Sequence, residues 1–380
     1  MSEWKEYNIT DVCDTISDTY RDNAEKVVLI NTSDVLEGKV TNHDFVPNKN
    51  LAGQFKKKFQ KDDILYSEIR PANKRYAYVD FEPKDYIAST KLMVLRSKPC
   101  ILSKYLYYLL TNNTTIQKLH AIAVGRSGTF PQITYSELVN IKFLLPSIGE
   151  QEEILSTLLT FDDKIANNRR ICENLEAQAQ ALFKHWFIDF APFKDGKFVE
   201  SELGMIPEGW RVDRLGSIIV ENEKSRIQVN QASTSGMFPF FTSGEKILKY
   251  NDFLVTGRNI FLNTGGIAGV KYRIGKSAYS TDTWCIKGDG SYTDFLYLYL
   301  SRNVELLNRR YFEGSALKHL QKKSLKDRLI IIPSVNCLKE FNSIVNVKLE
   351  MIEHLKDENL RLTTLRDTLL PKLMSGEIKL

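Results

Sequence analysis

The sequence predicts an α+β protein: two mixed α/β domains in a pseudo-twofold arrangement, separated by two long antiparallel coiled-coil helices. Three observations predict it. Five sequence blocks recur in the same order in the two halves, a heptad seam follows each half, and a stretch rich in glycine and proline lies between them. The length of 380 residues suits roughly two or three domains of ~150 residues.

The repeat sets the plan. Trp4 in SEWKEYNITDV matches Trp210 in EGWRVDRLGSI, and KDDILYSEIR (61–70) answers YNDFLVTGR (250–258). YIASTKLMVL (86–95) answers SAYSTDTWCI (277–286), KYLYYLL (104–110) answers DFLYLYL (294–300), and FLLPS (143–147) answers IIIPS (330–334). The offset falls from 206 residues (Trp4 to Trp210) to 187 (Pro146 to Pro333), so the second copy is shorter in its interior. Copies that agree in framework and differ inside imply one scaffold with two different binding surfaces.

The first domain, 1–146, carries short apolar runs (KVVLI, DDILY, YAYVDF, LMVLR) broken by Pro47, Gly53, Pro71 and Pro83, the pattern of strands and loops, followed by a helix in SKYLYYLLTNN. A first long helix is expected over 147–190. Its apolar positions run Ile154, Leu158, Phe161, Ile165, Asn168, Cys172, Leu175, Ala179, Leu182, Trp186 in alternating steps of four and three. Residues 191–208, with Pro192, Gly196, Gly204 and Pro207, are expected to link the halves. The second domain, 209–333, has in FLVTGRNIFLNTGGIAGVKYRIG the alternation and glycines of a hairpin-like sheet region. The second long helix, 334–380, repeats the seam as Phe341, Val345, Lys348, Ile352, Leu355, Asn359, Leu362, Arg366, Leu369, Leu373.

A helix of roughly 36 residues is about 54 Å long and needs a partner. Antiparallel pairing within the chain places Asn168 opposite Asn359, Phe161 opposite Arg366 and Ala179 opposite Lys348. A single buried polar pair sets register at some loss of stability; the alternative is that both asparagines are exposed.

Composition excludes other classes. With 43% hydrophobic and 26% charged residues the chain can bury cores, and it has no run of ~18 apolar residues, so no membrane span is expected. The N-terminal residues lack a basic segment followed by an apolar one, which points to the cytoplasm. Five scattered cysteines never spaced CxxC, and five dispersed histidines, argue against disulfides and metal. No catalytic residue is identified: Gly269–Ser277 has five residues between its glycines where a phosphate loop needs four, and reads as strand and turn. Acid neighbours such as Asp62–Asp63 and Asp162–Asp163 suit solvated or capping roles.

A net charge of +5 decides nothing by itself, but the distribution of basic and aromatic residues does. They interleave in GQFKKKFQK (53–61), EIRPANKRYAY (68–78), AVGRSGTFPQ (123–132), GRNIFLNTGG (257–266), GVKYRIGKSAYSTDTW (269–284) and SALKHLQKK (315–323). Each alone could be a solvated loop, while recurrence in both halves favours DNA. Lys56, Lys57 and Lys58 suit phosphates; Arg70, Arg75, Arg126, Arg258, Lys271 and Arg273 suit phosphates or base edges. Lys74, Ser127, Thr129, Asn259, Lys276, Lys318 and Lys322 complete the candidate DNA-binding set.

The segment 141–190 (IKFLLPSIGEQEEILSTLLTFDDKIANNRRICENLEAQAQALFKHWFIDF) resembles the central conserved region of type I restriction–modification specificity subunits in Pro146, Glu150, Gln151, Ile154, Asp163, Ile165, Asn174, Leu175, Trp186 and Phe187. GMIPEGWRVDRLG (204–216) looks like that family's start of a recognition domain, and LRDTLLPKLMSGEIKL (365–380) like its C-terminal end. The resemblance covers the whole chain. It departs at the second helix, where the Glu-Gln pair is replaced by Cys337–Leu338, and at the N-terminus, where MSE alone precedes Trp4.

The resemblance implies a non-catalytic subunit whose two target recognition domains each read one part of an asymmetric bipartite site in double-stranded DNA. It implies two modification subunits that methylate adenine at N6, and restriction subunits that translocate and cleave. S-adenosylmethionine, ATP and Mg2+ belong to those partners, with no cofactor in this chain. A rod of about 54 Å corresponds to about one and a half turns of B-DNA at ~34 Å per turn, so helix length would set the unread gap. A coiled-coil scaffold without sequence reading and an enzyme built on the acid pairs are the alternatives.

Overall fold

The computed structural model describes residues 4–49, 51–126, 131–139, 141–233 and 236–379. It divides into two compact units, residues 1–165 with 360–380 and residues 166–359. Two forty-residue helices, Ile148–Phe187 and Val335–Met374, each run through both units.

In the first unit the strand Lys5–Asn8 pairs antiparallel with Lys142–Leu145. Between them in sequence lie two four-stranded sheets. One is antiparallel throughout, in the order Cys13–Ile16, Leu92–Ser97, Ile64–Ser67, Tyr76–Tyr78. The other runs Phe45–Pro47, Lys26–Ile30, Tyr86–Ser89, Phe55–Lys57, with its two central strands parallel. Both sheets contribute to one core, Val28, Ile30 and Ala88 from one and Leu65, Ala77, Leu92 and Val94 from the other, all 0% exposed. Successive residues of the central strands turn to two different cores: Leu65, Leu92 and Val94 face this one, while Ile64, Tyr66, Met93 and Leu95 face the next. The helices Ser103–Thr111 and Asn113–Arg126 share a second core with Ile154, Leu155 and Leu158 of the first long helix and Leu370, Leu373 and Met374 of the second.

The second unit repeats this topology. Arg211–Arg214 pairs with Leu329–Ile332, as Lys5–Asn8 does with Lys142–Leu145. An antiparallel sheet runs Ile219–Glu221, Thr283–Gly288, Arg258–Asn263, Val270–Ile274, and a smaller one runs Leu248–Tyr250, Phe238–Phe241, Ala278–Tyr279, again with its parallel pair. The helix Thr293–Arg302 stands where Ser103–Thr111 stands in the first unit. Among the described residues no strand answers Phe55–Lys57 in the smaller sheet, where Val255 forms only a single antiparallel bridge with Ser277, and the core between the sheets shrinks to Phe241, Phe261, Tyr279 and Cys285. Phe241 stacks on Phe261 at 4.0 Å.

This topology corrects one sequence block. Met93 pairs with Tyr66 and Trp284 pairs with Leu262, so the strand Ile64–Ser67 corresponds to Ile260–Asn263, and 61–66 falls on 257–262 rather than on 250–258. A short continuous apolar run fits many registers, whereas a hydrogen-bonded ladder fits one. The stretch 191–208 is not a bare linker. It holds a turn at Ala191–Phe193 and a hairpin of Phe198–Ser201 with Gly204–Pro207. Gly269–Ser277 is the strand Val270–Ile274 and a turn at Gly275, whose φ of +124° favours glycine.

Within each unit the long helices run antiparallel. In the second unit Asn168 meets Asn359, Cys172 donates to the carbonyl of Ile352, Lys348 donates to Gln178, and Trp186 packs on Phe341 at 5.8 Å. In the first unit Arg366 donates to Asp162. Arg366, expected opposite Phe161, and Lys348, expected opposite Ala179, therefore end on polar neighbours one residue along. The buried face is also wider than the heptad seam: Leu155, Phe183, Phe187 and Leu349 are buried too. Each helix covers its domain as well as the other helix, which calls for a broader apolar stripe.

Candidate nucleic-acid interface

The expected DNA-contacting residues separate by what their side chains already hold. In the first domain Lys56 is exposed on the strand Phe55–Lys57, while the adjacent Lys57 turns inward and donates from Nζ to the carbonyl of Leu92 at 2.7 Å. Alternation puts neighbours on opposite faces. Burial holds the Lys57 ammonium below its ordinary pKa. Lys58 is exposed and pairs with Asp22 at 2.9 Å. Arg70 and Lys74 flank the turn Pro71–Asn73, both with left-handed backbone (φ 46° and 53°), and Arg70 is exposed. Arg75 donates to the carbonyl of Ser33 at 2.9 Å. Arg126 ends the helix Asn113–Arg126, and Ser127 and Thr129 lie outside the described residues.

The second domain brings its candidates together, but around its own acids and carbonyls. Asn259 is 1% exposed, accepts from Asn222 and donates to the carbonyls of Thr256 and Gly257. Lys271 spends its three protons on the carbonyls of Thr242 and Gly244 and on Asn263 Oδ1, at 2.7, 2.7 and 3.1 Å. Arg258 reaches the Tyr272 hydroxyl at 2.9 Å, Asp294 at 3.3 Å and Glu350 of the second long helix at 2.5 Å. Arg273 reaches Glu353 at 3.2 Å and Asp357 at 2.8 Å on the same helix. In the structure these four residues are internal ties: the cations Arg258, Lys271 and Arg273, withdrawn from water, need partners, and the fold supplies them. Lys322 lies over the Trp284 ring at 5.0 Å beside Glu221, and burial lowers its pKa. Lys276 is exposed and sits 4.5 Å from the Phe253 ring centroid; Lys318 is exposed.

The asparagine pair lies in the second unit. Asn168 is 0% exposed and donates from Nδ2 to Asn359 Oδ1 at 2.9 Å and to Glu358 at 2.6 Å.

A contrast that the sequence reading missed sits on matched positions of the two sheets. In the first domain Tyr78 donates to Asp62 at 2.6 Å, and Lys104 lies over the Tyr78 ring at 4.0 Å. In the second, the counterparts are Tyr272, Arg258 and Asp294, with Tyr272 donating to Asp294. The charges are exchanged around a conserved ring. Burial lowers the Lys104 pKa, opposed first by Asp162, and burial raises the Asp294 pKa, opposed first by the Tyr272 hydrogen bond. The signal was present in KYLYYLL against DFLYLYL, where Lys104 answers Asp294 on an otherwise apolar helix.

Among the described residues no group of three His, Cys, Asp or Glu side chains is gathered as a metal would need, and no helix is long and apolar enough to cross a membrane. The fold and site define a class: a duplicated α+β protein on paired long helices, with exposed lysines and arginines on its loops. The chain belongs to the type I restriction modification DNA specificity domain family, whose sequence model matches residues 1–177 and 207–347. It is 30% identical to the type I restriction enzyme HindI specificity subunit of Haemophilus influenzae over all of both chains. It is 30% identical to the MjaIX specificity subunit of Methanocaldococcus jannaschii, over 84% of this chain and 78% of that one. The solved S subunit of a type I system from M. genitalium shares the fold at TM-score 0.54 and 17% identity, over 98% of this chain and 96% of that one.

Proposed function

We propose that the chain is the non-catalytic DNA sequence-specificity subunit of a type I restriction–modification complex in the cytoplasm. It binds an asymmetric bipartite site, one half per domain, with residues 1–146 and 209–333 as the two recognition domains. Two modification subunits then methylate adenine at N6 and restriction subunits cleave, using S-adenosylmethionine, ATP and Mg2+ held by those partners. The observation that carries the reading is the repetition of one sheet topology in two domains whose loops and edge strands differ, in a chain matched by the family along both halves. Lys56, Lys58, Arg70, Lys74, Arg75, Arg126, Ser127, Thr129, Lys276, Lys318 and Lys322 are the contacts this reading retains. Phosphate contacts position the protein and base contacts specify.

The test is to exchange residues 1–146 for the first domain of another family member and map methylated adenines across a genome. The expected outcome is that half the recognised sequence changes while the other half and the spacing stay. A changed spacing, or an unchanged sequence, overturns it.

A further inference from the structure

We propose that Arg273, through Glu353 and Asp357, positions the DNA-reading surface of the second domain on the second long helix and so sets selectivity for one half of the site. This rests on the proposed function. Glu350, Glu353 and Asp357 recur at spacings of three and four, which puts them on one face of Val335–Met374. Two neighbouring strands present arginines to that face: Arg258 reaches Glu350, and Arg273 forks between Glu353 and Asp357. Arg273 and Glu353 have side chains 14% and 5% exposed, and Glu353 also accepts from Lys356 at 2.8 Å and from the backbone of Ile274 at 3.4 Å.

A forked guanidinium between two carboxylates fixes direction as well as distance. Such a buried pair is weak evidence of net stability, because desolvation offsets the attraction, but its geometry leaves little freedom. The strand that carries Arg273 ends at Ile274, turns at Gly275 and immediately presents exposed Lys276 against Phe253. A rotation of the strand on the helix would carry Lys276 with it. The matched position in the first domain, Val79, is buried and apolar, so that domain lacks this tie. Arg96 with Asp63, at 2.8 Å, is the contrasting case: both ends lie in one domain and neither reaches a long helix.

The test uses the full chain assembled with its modification subunits, methylating a library of duplexes varied in either half of the site. Arg273→Met is expected to lower the ratio of methylation rates, cognate over substituted second half, by about tenfold or more, with the first-half ratio unchanged and Arg273→Lys partly restoring it. Arg96→Met is expected to lower thermal stability while leaving both ratios intact. If Arg273→Met fails to assemble, Asp357→Asn removes one arm at its half-exposed end and is read the same way. Unchanged ratios at reduced stability, or equal relaxation of both halves, overturn the proposal. If the unaltered complex itself methylates every sequence alike, the proposed function falls instead.

Discussion

The two domains carry one topology but are fastened to the long helices by different chemistry. In the first unit Gln151, 0% exposed, accepts from the Leu102 backbone at 2.9 Å and donates to the carbonyls of Cys100 and Pro146 at 3.2 and 3.0 Å. It thereby closes the open N-terminus of the helix Ser103–Thr111, while the long helix is capped by the Ser147 amide donating to the Glu150 carboxylate at 3.1 Å and the Glu150 amide donating to the Ser147 hydroxyl at 3.4 Å. At the matched position of the second unit stands Leu338, also 0% exposed, in a core with Phe183, Phe187, Phe295 and Phe341. The replacement of Glu-Gln by Cys337–Leu338 does not abolish the attachment. It exchanges hydrogen bonds for apolar packing, and the ionic ties of Arg258 and Arg273 are added on the same helix. A duplicated fold can therefore keep its shape while the attachment at a matched position changes in kind.

The largest expected effect tests the apolar half of this contrast. Phe341 is 0% exposed and packs edge-on to Phe187 at 4.7 Å and near Trp186 and Phe183. Phe341→Ala should cost about 3–5 kcal/mol in denaturant unfolding, the usual range for emptying a packed aromatic site. A loss under 1 kcal/mol would mean the core is not continuous there.

Next comes the polar half. Gln151→Leu strands the Leu102 amide and should cost about 1–3 kcal/mol, and Leu338→Gln should cost a similar amount by burying an amide with nothing to bond. If Gln151→Leu is neutral, the two attachments are interchangeable and the contrast is only descriptive. For the asparagines, Asn359→Ala should destabilise because it leaves Asn168 short of a partner, whereas changing both to Leu should be nearly neutral in stability. Equal losses from the single and the double change would remove the pair as a coupled unit.

What could be read from sequence followed from periodicity and repetition. Apolar spacing revealed the two long helices, because a long helix must bury a continuous stripe, and the repeated blocks revealed that two domains share one plan. Binding residues were harder to read. Arg258, Asn259, Lys271 and Arg273 have the composition of a DNA-binding loop, yet their partners are Asp294, Glu350, Asn222, Asn263, Glu353 and Asp357, most of them distant in sequence. A cation in sequence has no address until the fold shows which acid is near. The misplaced block 250–258 failed for a related reason, since DDILY and NDFLV share a pattern that a strand can adopt in several registers.

A smaller effect follows from Cys337, which replaces the capping glutamate of the first unit. Burial pushes its thiol from 9.0 up to about 12. Below pH 9 folded and unfolded chains both hold the proton; between pH 9 and about 12 only the folded chain does, so stability is lost as pH rises through that window. Cys337→Ala should make stability fall less steeply with pH between 9 and 11, as followed by denaturant midpoints. An unchanged slope would mean the thiol ionises freely in the folded chain.

The smallest effect separates two adjacent lysines of the first domain. Lys56 points to solvent from a strand that has no counterpart in the second domain's smaller sheet, and Lys57 points inward to the carbonyl of Leu92. Lys56→Ala should weaken DNA binding about equally on every sequence and flatten the salt dependence by ~1 in slope, with folding stability unchanged. Lys57→Ala should leave that slope alone and lower stability, because one inward ammonium and its carbonyl bond are lost. The reverse pattern, with the slope following Lys57, would show that the extra strand turns its other face to the duplex and would move the reading surface of the first domain to the opposite side of that sheet.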